Sequence, residues 1–152
     1  LRTLIETKGL NANPTLLDVK KLPDHDRVSI SLSHSQDFSA IAISPKSCSI
    51  GVDVEIESRI SQALVNRVSG EDEVLASPHP PLLFPCKEAV WKSLRESQKK
   101  IPTISQVGIR QWQEVSPETW TFTAFSKDDQ PPLPGIGLVW KSQGVLFSLF
   151  VN

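Results

Sequence analysis

The sequence predicts an α+β fold, antiparallel sheets packed with helices, on three observations. Short segments of apolar–polar alternation cluster at 27–56 and again at 107–151, the period of half-buried strands. Helical spacing is strongest in the stretch between those clusters. No regular strand–helix–strand alternation runs along the chain, so a doubly wound parallel sheet is not expected. The 152 residues suit one domain, 1–152, with a core of its own.

Leu1 to Leu10 reads as a short helix with Leu1, Leu4 and Ile5 on one side, and Asn11 to Asp26, broken by Pro14 and Pro23, as loop. From Arg27 to Leu32, Val28, Ile30 and Leu32 alternate with serines, which predicts a half-buried strand that Ser33-His34-Ser35 ends. Phe38 to Ser44 alternates likewise and Ser47 to Ile56 is rich in strand formers, so these three segments are expected to form an antiparallel sheet. Ile60, Leu64, Val65 and Val68 keep helical spacing, with Ser58 as the expected cap. Glu71-Asp72-Glu73 reads as the charged first turn of a further short helix.

Pro78, Pro80, Pro81 and Pro85 precede a helix expected from near Pro85 to about Gln98. Proline suits a first helical position because the N–H it lacks had no partner there. Val107 to Val115, Trp120 to Ser126, Gly137 to Lys141 and Val145 to Val151 predict a second sheet, with Trp112, Trp120 and Trp140 as core. Asp128 to Pro134 is read as a turn.

Lys and Arg number 16 and Asp and Glu 17, a formal net charge of −1. No bulk attraction to nucleic acid or to a membrane surface follows, so any handling of phosphate has to come from locally placed cations. No apolar run approaches a membrane span. Cys48 and Cys86 lack metal-type spacing and are expected to be reduced thiols of a cytoplasmic protein.

Two acidic motifs carry the chemistry. In Gly51-Val52-Asp53-Val54-Glu55, an extended backbone puts Asp53 and Glu55 on one face, where they repel unless a cation or water lies between them. In Phe84-Pro85-Cys86-Lys87-Glu88-Ala89-Val90-Trp91-Lys92, Glu88 and Lys92 are four residues apart on one helix face, with Lys87 on its flank. Each motif alone has a plain reading, a polar strand face or a surface ion pair. Together they suit a hard divalent cation, which takes a few carboxylates, several waters and substrate phosphates. His34, between two serines at a strand end, would be a donor to an anion bound there.

Ser33-His34-Ser35, then Gly51-Val52-Asp53-Val54-Glu55, then Phe84-x-x-Lys87-Glu88-Ala89-x-x-Lys92 resemble, in order and spacing, the motifs of the 4′-phosphopantetheinyl transferase superfamily, in particular its larger, surfactin-synthetase-activator-like class. The resemblance covers roughly residues 28 to 95. It implies the fold of that superfamily and transfer of the phosphopantetheine arm of coenzyme A to a serine of an acyl or peptidyl carrier protein. By resemblance, Asp53, Glu55 and Glu88 hold Mg2+ against the pyrophosphate and Glu88 helps deprotonate the carrier serine. Lys92, with Lys87 nearby, balances charge on the leaving phosphate, and Ser33 and His34 contact a coenzyme A phosphate.

The chain departs from the pattern at its N-terminal side, where 32 residues precede Ser33 and the larger class carries a whole lobe. A homo-oligomer with coenzyme A near the subunit boundary is therefore expected. Arg59 and Arg67 are the expected contacts for an acidic carrier protein. The competing readings are a non-catalytic relative that binds coenzyme A or a carrier protein, and an unrelated Mg2+-dependent phosphohydrolase.

Overall fold

A computed structural model describes residues 28–96, 101, 103–128 and 132–152. The helix expected at Leu1 to Leu10, the loop after it and the last residues of the helix expected to reach Gln98 lie outside the described residues. What is described mixes helices with antiparallel sheets. The strands are β1 (Val28–Ser35), β2 (Phe38–Pro45), β3 (Ile50–Ile56), β4 (Val107–Ser116), β5 (Thr119–Ser126), β6 (Ile136–Ser142) and β7 (Val145–Val151), and the helices are α1 (Gln62–Val68), α2 (Glu71–Ala76) and α3 (Leu83–Glu96). No helix among the described residues is long and apolar enough to cross a membrane.

The first three strands do not form the expected single sheet. β1 and β2 make a hairpin, while β3 joins the C-terminal strands in a five-stranded sheet of order β3-β7-β6-β5-β4. β3 pairs with β7 over its whole length, Ile50 opposite Val151 through Ile56 opposite Val145. Burial on both sides explains the choice: Ile50 and Val52 cluster with Leu149 and Ala42, and Val54 with Val145 and Phe147. That apolar continuity is long-range, so local alternation cannot reveal it. The tight turn into β7 uses Gln143 and Gly144, both at positive φ (51° and 76°), the backbone a two-residue hairpin loop requires.

α3 lies across β3 and β7. Leu83, Cys86, Ala89, Val90 and Leu94 face inward and meet Val107, Ile109, Phe122, Val139, Leu146 and Phe150 in the main core. Gly51 makes the close approach possible: a Cβ there would overlap the Ala89 carbonyl oxygen and stand 2.7 Å from the Ser93 nitrogen. Since alternate residues share a face, Asp53 and Glu55 follow Gly51 onto the side of β3 that α3 covers. Pro85 is the third residue of α3 rather than its first, still within the turn whose N–H groups need no intrahelical partner. α1 starts later than expected because Ser61, not Ser58, caps it, its hydroxyl accepting from the Leu64 amide at 3.2 Å. Glu57–Arg59 forms a separate 3-10 turn, so Arg59 is not on the helix that carries Arg67.

The hairpin inverts the polarity that its alternation suggests. Ser29, Ser31, Ser35 and Ser44 are buried, whereas Leu32, Ile41 and Ile43 are 47%, 40% and 51% exposed. Ile30 opposes Ile43 and Leu32 opposes Ile41, so these four aliphatic residues share the outward face. The serine face turns toward β3. Ser31 Oγ accepts from the Val52 amide at 2.9 Å and Lys92 Nζ donates to the Val52 carbonyl at 3.2 Å. Side chains thereby satisfy backbone groups that the end strand of a sheet otherwise leaves open.

Candidate functional site

Three elements converge at the free edge of β3. β3 supplies Asp53 and Glu55, α3 supplies Glu88 and Lys92, and β1 supplies Ser33 and Ser35. Lys92 Nζ lies 2.6 Å from Asp53 Oδ1 and 3.1 Å from Ser33 Oγ. Ser33 Oγ donates to the same Asp53 Oδ1 at 2.7 Å, and Ser35 Oγ donates to Glu55 Oε2 at 3.0 Å. Lys92 thus makes its ion pair with Asp53 across the helix–strand interface, not with Glu88 one turn back.

Asp53 is 2% exposed, and its Oδ2 is buried with no hydrogen-bond partner among the described residues. Burial holds the Asp53 carboxyl above its ordinary range even though Lys92 and Ser33 pull it down. Glu55 is raised by burial and then by the charge of Asp53, with the Ser35 hydrogen bond in opposition. Glu88 is raised by burial and by Asp53 and Glu55, against the pull of Lys92 and Arg95. Asp53 thus raises both glutamates and Glu55 raises Glu88, with Lys92, Arg59 and Arg95 pulling the other way. Perturbation of this kind, by burial plus named charge partners, is common at functional sites.

The structure brings together Asp53, Glu55, Glu88, Lys92 and Ser33 of the residues expected from sequence, but not Lys87. Lys87 is 0% exposed; its ammonium pairs with Glu73 Oε1 at 2.6 Å and also donates to the Val107 carbonyl. Burial pushes it down to about 8 against the pull of Glu73. Helix geometry gives the reason: five residues turn the chain by roughly 140° beyond a full circle, so Lys87 and Lys92 leave α3 in different directions. A lysine sealed in the core is a structural partner of Glu73 and is not positioned to meet a phosphate. Glu73 lies in the charged first turn of α2, as its sequence suggests; it is also buried, caps the Gly70 amide and accepts from the Ile109 amide at 3.0 Å.

His34 is exposed and, opposite Ser39, belongs to the outward face of the hairpin. It borders a hollow of about 350 Å³ whose walls include Glu55, Arg59, Ile60, Leu64 and Phe84. Arg59 therefore stands beside the acidic strand, while Arg67 is exposed on α1. Ser35 is the site residue that sequence reasoning passed over. Its signal was present, since it follows Ser33 by the two-residue strand period and must share its face.

No three His, Cys, Asp or Glu side chains among the described residues are drawn close enough to hold a metal ion as they stand. The donor chemistry fits a hard cation nonetheless, because carboxylate oxygens are its preferred ligands and Asp53 Oδ2 is a buried acceptor without a partner. Both cysteines are free thiols, and burial raises that of Cys86. Neither protein-family models nor curated proteins match the chain.

Proposed function

We propose that the protein is a cytoplasmic enzyme that transfers the 4′-phosphopantetheine group of coenzyme A to a serine of an acyl or peptidyl carrier protein. The observation that carries this reading is the buried, partnerless Asp53 Oδ2 within a group of three carboxyls and one lysine. The motif resemblance in the sequence supports it independently. In this reading Asp53, Glu55 and Glu88 hold Mg2+, which supplies charge neutralisation at the pyrophosphate of coenzyme A.

The carrier serine oxygen attacks the phosphorus that bears the pantetheine arm. One P–O bond forms, the P–O bond to the bridging oxygen breaks, and adenosine 3′,5′-bisphosphate leaves. Glu88 takes the serine proton, directly or through water; burial and the neighbouring carboxylates raise its pKa, which makes its ionised form a stronger base. Lys92 lies 2.6 Å from Asp53, close enough to the acidic strand to balance charge on the leaving phosphate. Phosphoryl transfer of this type depends chiefly on positioning and electrostatics. The hollow between His34, Arg59 and Phe84 offers the Arg59 guanidinium beside an apolar wall to the incoming partner, and an acidic carrier suits Arg59.

A second copy of the chain over the outward face of the β1–β2 hairpin belongs to the same proposal, because His34 shares that face with Leu32 and Ile41. Light scattering across a wide concentration range tests it, and a monomer with full transfer activity would remove it.

Incubation with coenzyme A, Mg2+ and an apo carrier protein, read by intact mass, tests the reaction. The carrier gains one phosphopantetheine if the reading is right, and stays unmodified if the protein only binds coenzyme A or hydrolyses phosphate esters. Glu88→Gln is expected to lower turnover by about 10²-fold. Lys92→Ala should lower kcat more than it raises KM, because the charge it balances develops in the transition state.

A further inference from the structure

β1 offers a hydroxyl at every second residue and β3 carboxylates at Asp53 and Glu55, and the contacts between the two strands advance in the same sense. Ser31 reaches position 52, Ser33 position 53 and Ser35 position 55. The three serines look equivalent in sequence, but their partners differ. Ser31 accepts from a backbone amide. Ser33 and Ser35 each donate their single hydrogen to one carboxylate oxygen. A hydroxyl has one hydrogen to give, so each of these bonds selects which carboxylate oxygen is held and which is left for another partner. At Asp53 the selection is complete: Oδ1 is taken by Ser33 and Lys92, and Oδ2 is left without a partner.

Resting on the cation-site reading above, we infer that Ser33 and Ser35 are positioning residues that fix the rotation of Asp53 and Glu55, so that each presents its remaining oxygen to one shared cation. This differs from the expectation that Ser33 contacts coenzyme A, since its hydroxyl is engaged by Asp53 and Lys92. Groups that orient metal ligands typically change metal affinity by 10- to 100-fold when removed. Ser31 provides an internal control on the same strand: its contact holds the strands together without touching a carboxylate.

The test is calorimetric titration of Mn2+ into the protein in the presence of excess coenzyme A, with thermal melts in parallel. The expected result is that S33A and S35A each weaken Mn2+ about tenfold. S33T and S35T, which keep the hydroxyl in a side chain suited to strands, restore most of the affinity. S31A lowers the melting temperature, because it leaves the Val52 amide unpaired, yet binds Mn2+ within twofold of wild type. If S33A and S35A bind Mn2+ like wild type while Asp53→Asn does not bind it, the positioning role is wrong and the cation site stands. If wild type binds Mn2+ no better than Asp53→Asn, the cation site falls and takes the positioning role with it.

Discussion

Two acidic–basic clusters lie on opposite flanks of α3, and they are built to different ends. Glu73, Lys87 and Lys127 form the first. Glu73 accepts from both lysines and from the Gly70 and Ile109 amides. Burial alone would raise its carboxyl, but hydrogen bonds from Lys127 and Lys87 outweigh that and hold it below the ordinary range. Asp53, Glu55, Glu88 and Lys92 form the second, in which all three carboxyls are raised and one buried oxygen lacks a partner. The first cluster is complete within the chain. In the second, burial outweighs the pull of Lys92, Arg59 and Arg95 on the three carboxyls, and the buried Asp53 oxygen is a place where a cation would fit. Burial and ionisable residue types are similar in the two, so the difference lies in whether the partners are already present.

The largest effect should come from breaking the complete cluster. Lys87→Met removes the buried one of the two lysines that pair with Glu73 and a donor to the Val107 carbonyl, while Lys127 stays paired; loss of a buried hydrogen bond to a charged group costs about 1.5–3 kcal/mol. Urea denaturation should register that loss, whereas coenzyme A affinity per folded molecule should not change. A variant of normal stability with weakened coenzyme A binding would return Lys87 to the phosphate site.

Asp53→Asn should behave in the opposite way. It preserves the shape and the contact with Ser33 while removing one of the repelling charges. Its stability without metal should lie within about 1 kcal/mol of wild type, while the proposed transfer should be lost. Strong destabilisation would mean that the Asp53–Lys92 pair is as structural as the Glu73–Lys87 pair.

A subtler effect separates the clusters by the sign of their pH dependence. Glu55 has a raised folded pKa, so its contribution to stability is present below the ordinary carboxylate range and is lost as pH rises through the folded value. Glu73 has a lowered one, so its contribution is present above that range and is lost as pH falls through the folded value. Melting curves in chelator across the acid range should show Glu55→Gln gaining on wild type as pH rises, and Glu73→Gln losing. Equal slopes would erase the distinction between the clusters.

How much of this was legible in the sequence follows from what local pattern can encode. A two-residue period assigns Asp53 and Glu55 to one face and Ser33 and Ser35 to another, and the structure has them so. The same period does not say which face of β1 is inside. Hydrophobicity points to Val28, Ile30 and Leu32, yet the serines are inside because β3 offers them an amide and two carboxylates. The four-residue spacing of Glu88 and Lys92 suggests a pair, but the nearer carboxylate for Lys92 is Asp53, 39 residues away in sequence. Lys87 next to Glu88 reads as a second site cation until Glu73 and Val107 enclose it. In each case local pattern fixes the face, and tertiary packing decides what lies opposite.

The central claim is that the Asp53 cluster takes up a cation brought together with a phosphate ligand, and linked thermal melting tests it most directly. Ligands that bind only the folded protein raise the melting temperature in proportion to the logarithm of their saturation. Mg2+ and coenzyme A added together should raise the melting temperature of wild type by more than the sum of their separate effects. The excess should vanish in Asp53→Asn and survive in a substitution at the other cluster that still folds, such as Lys127→Ala. A strictly additive response in wild type, or an unchanged excess in Asp53→Asn, would contradict the account.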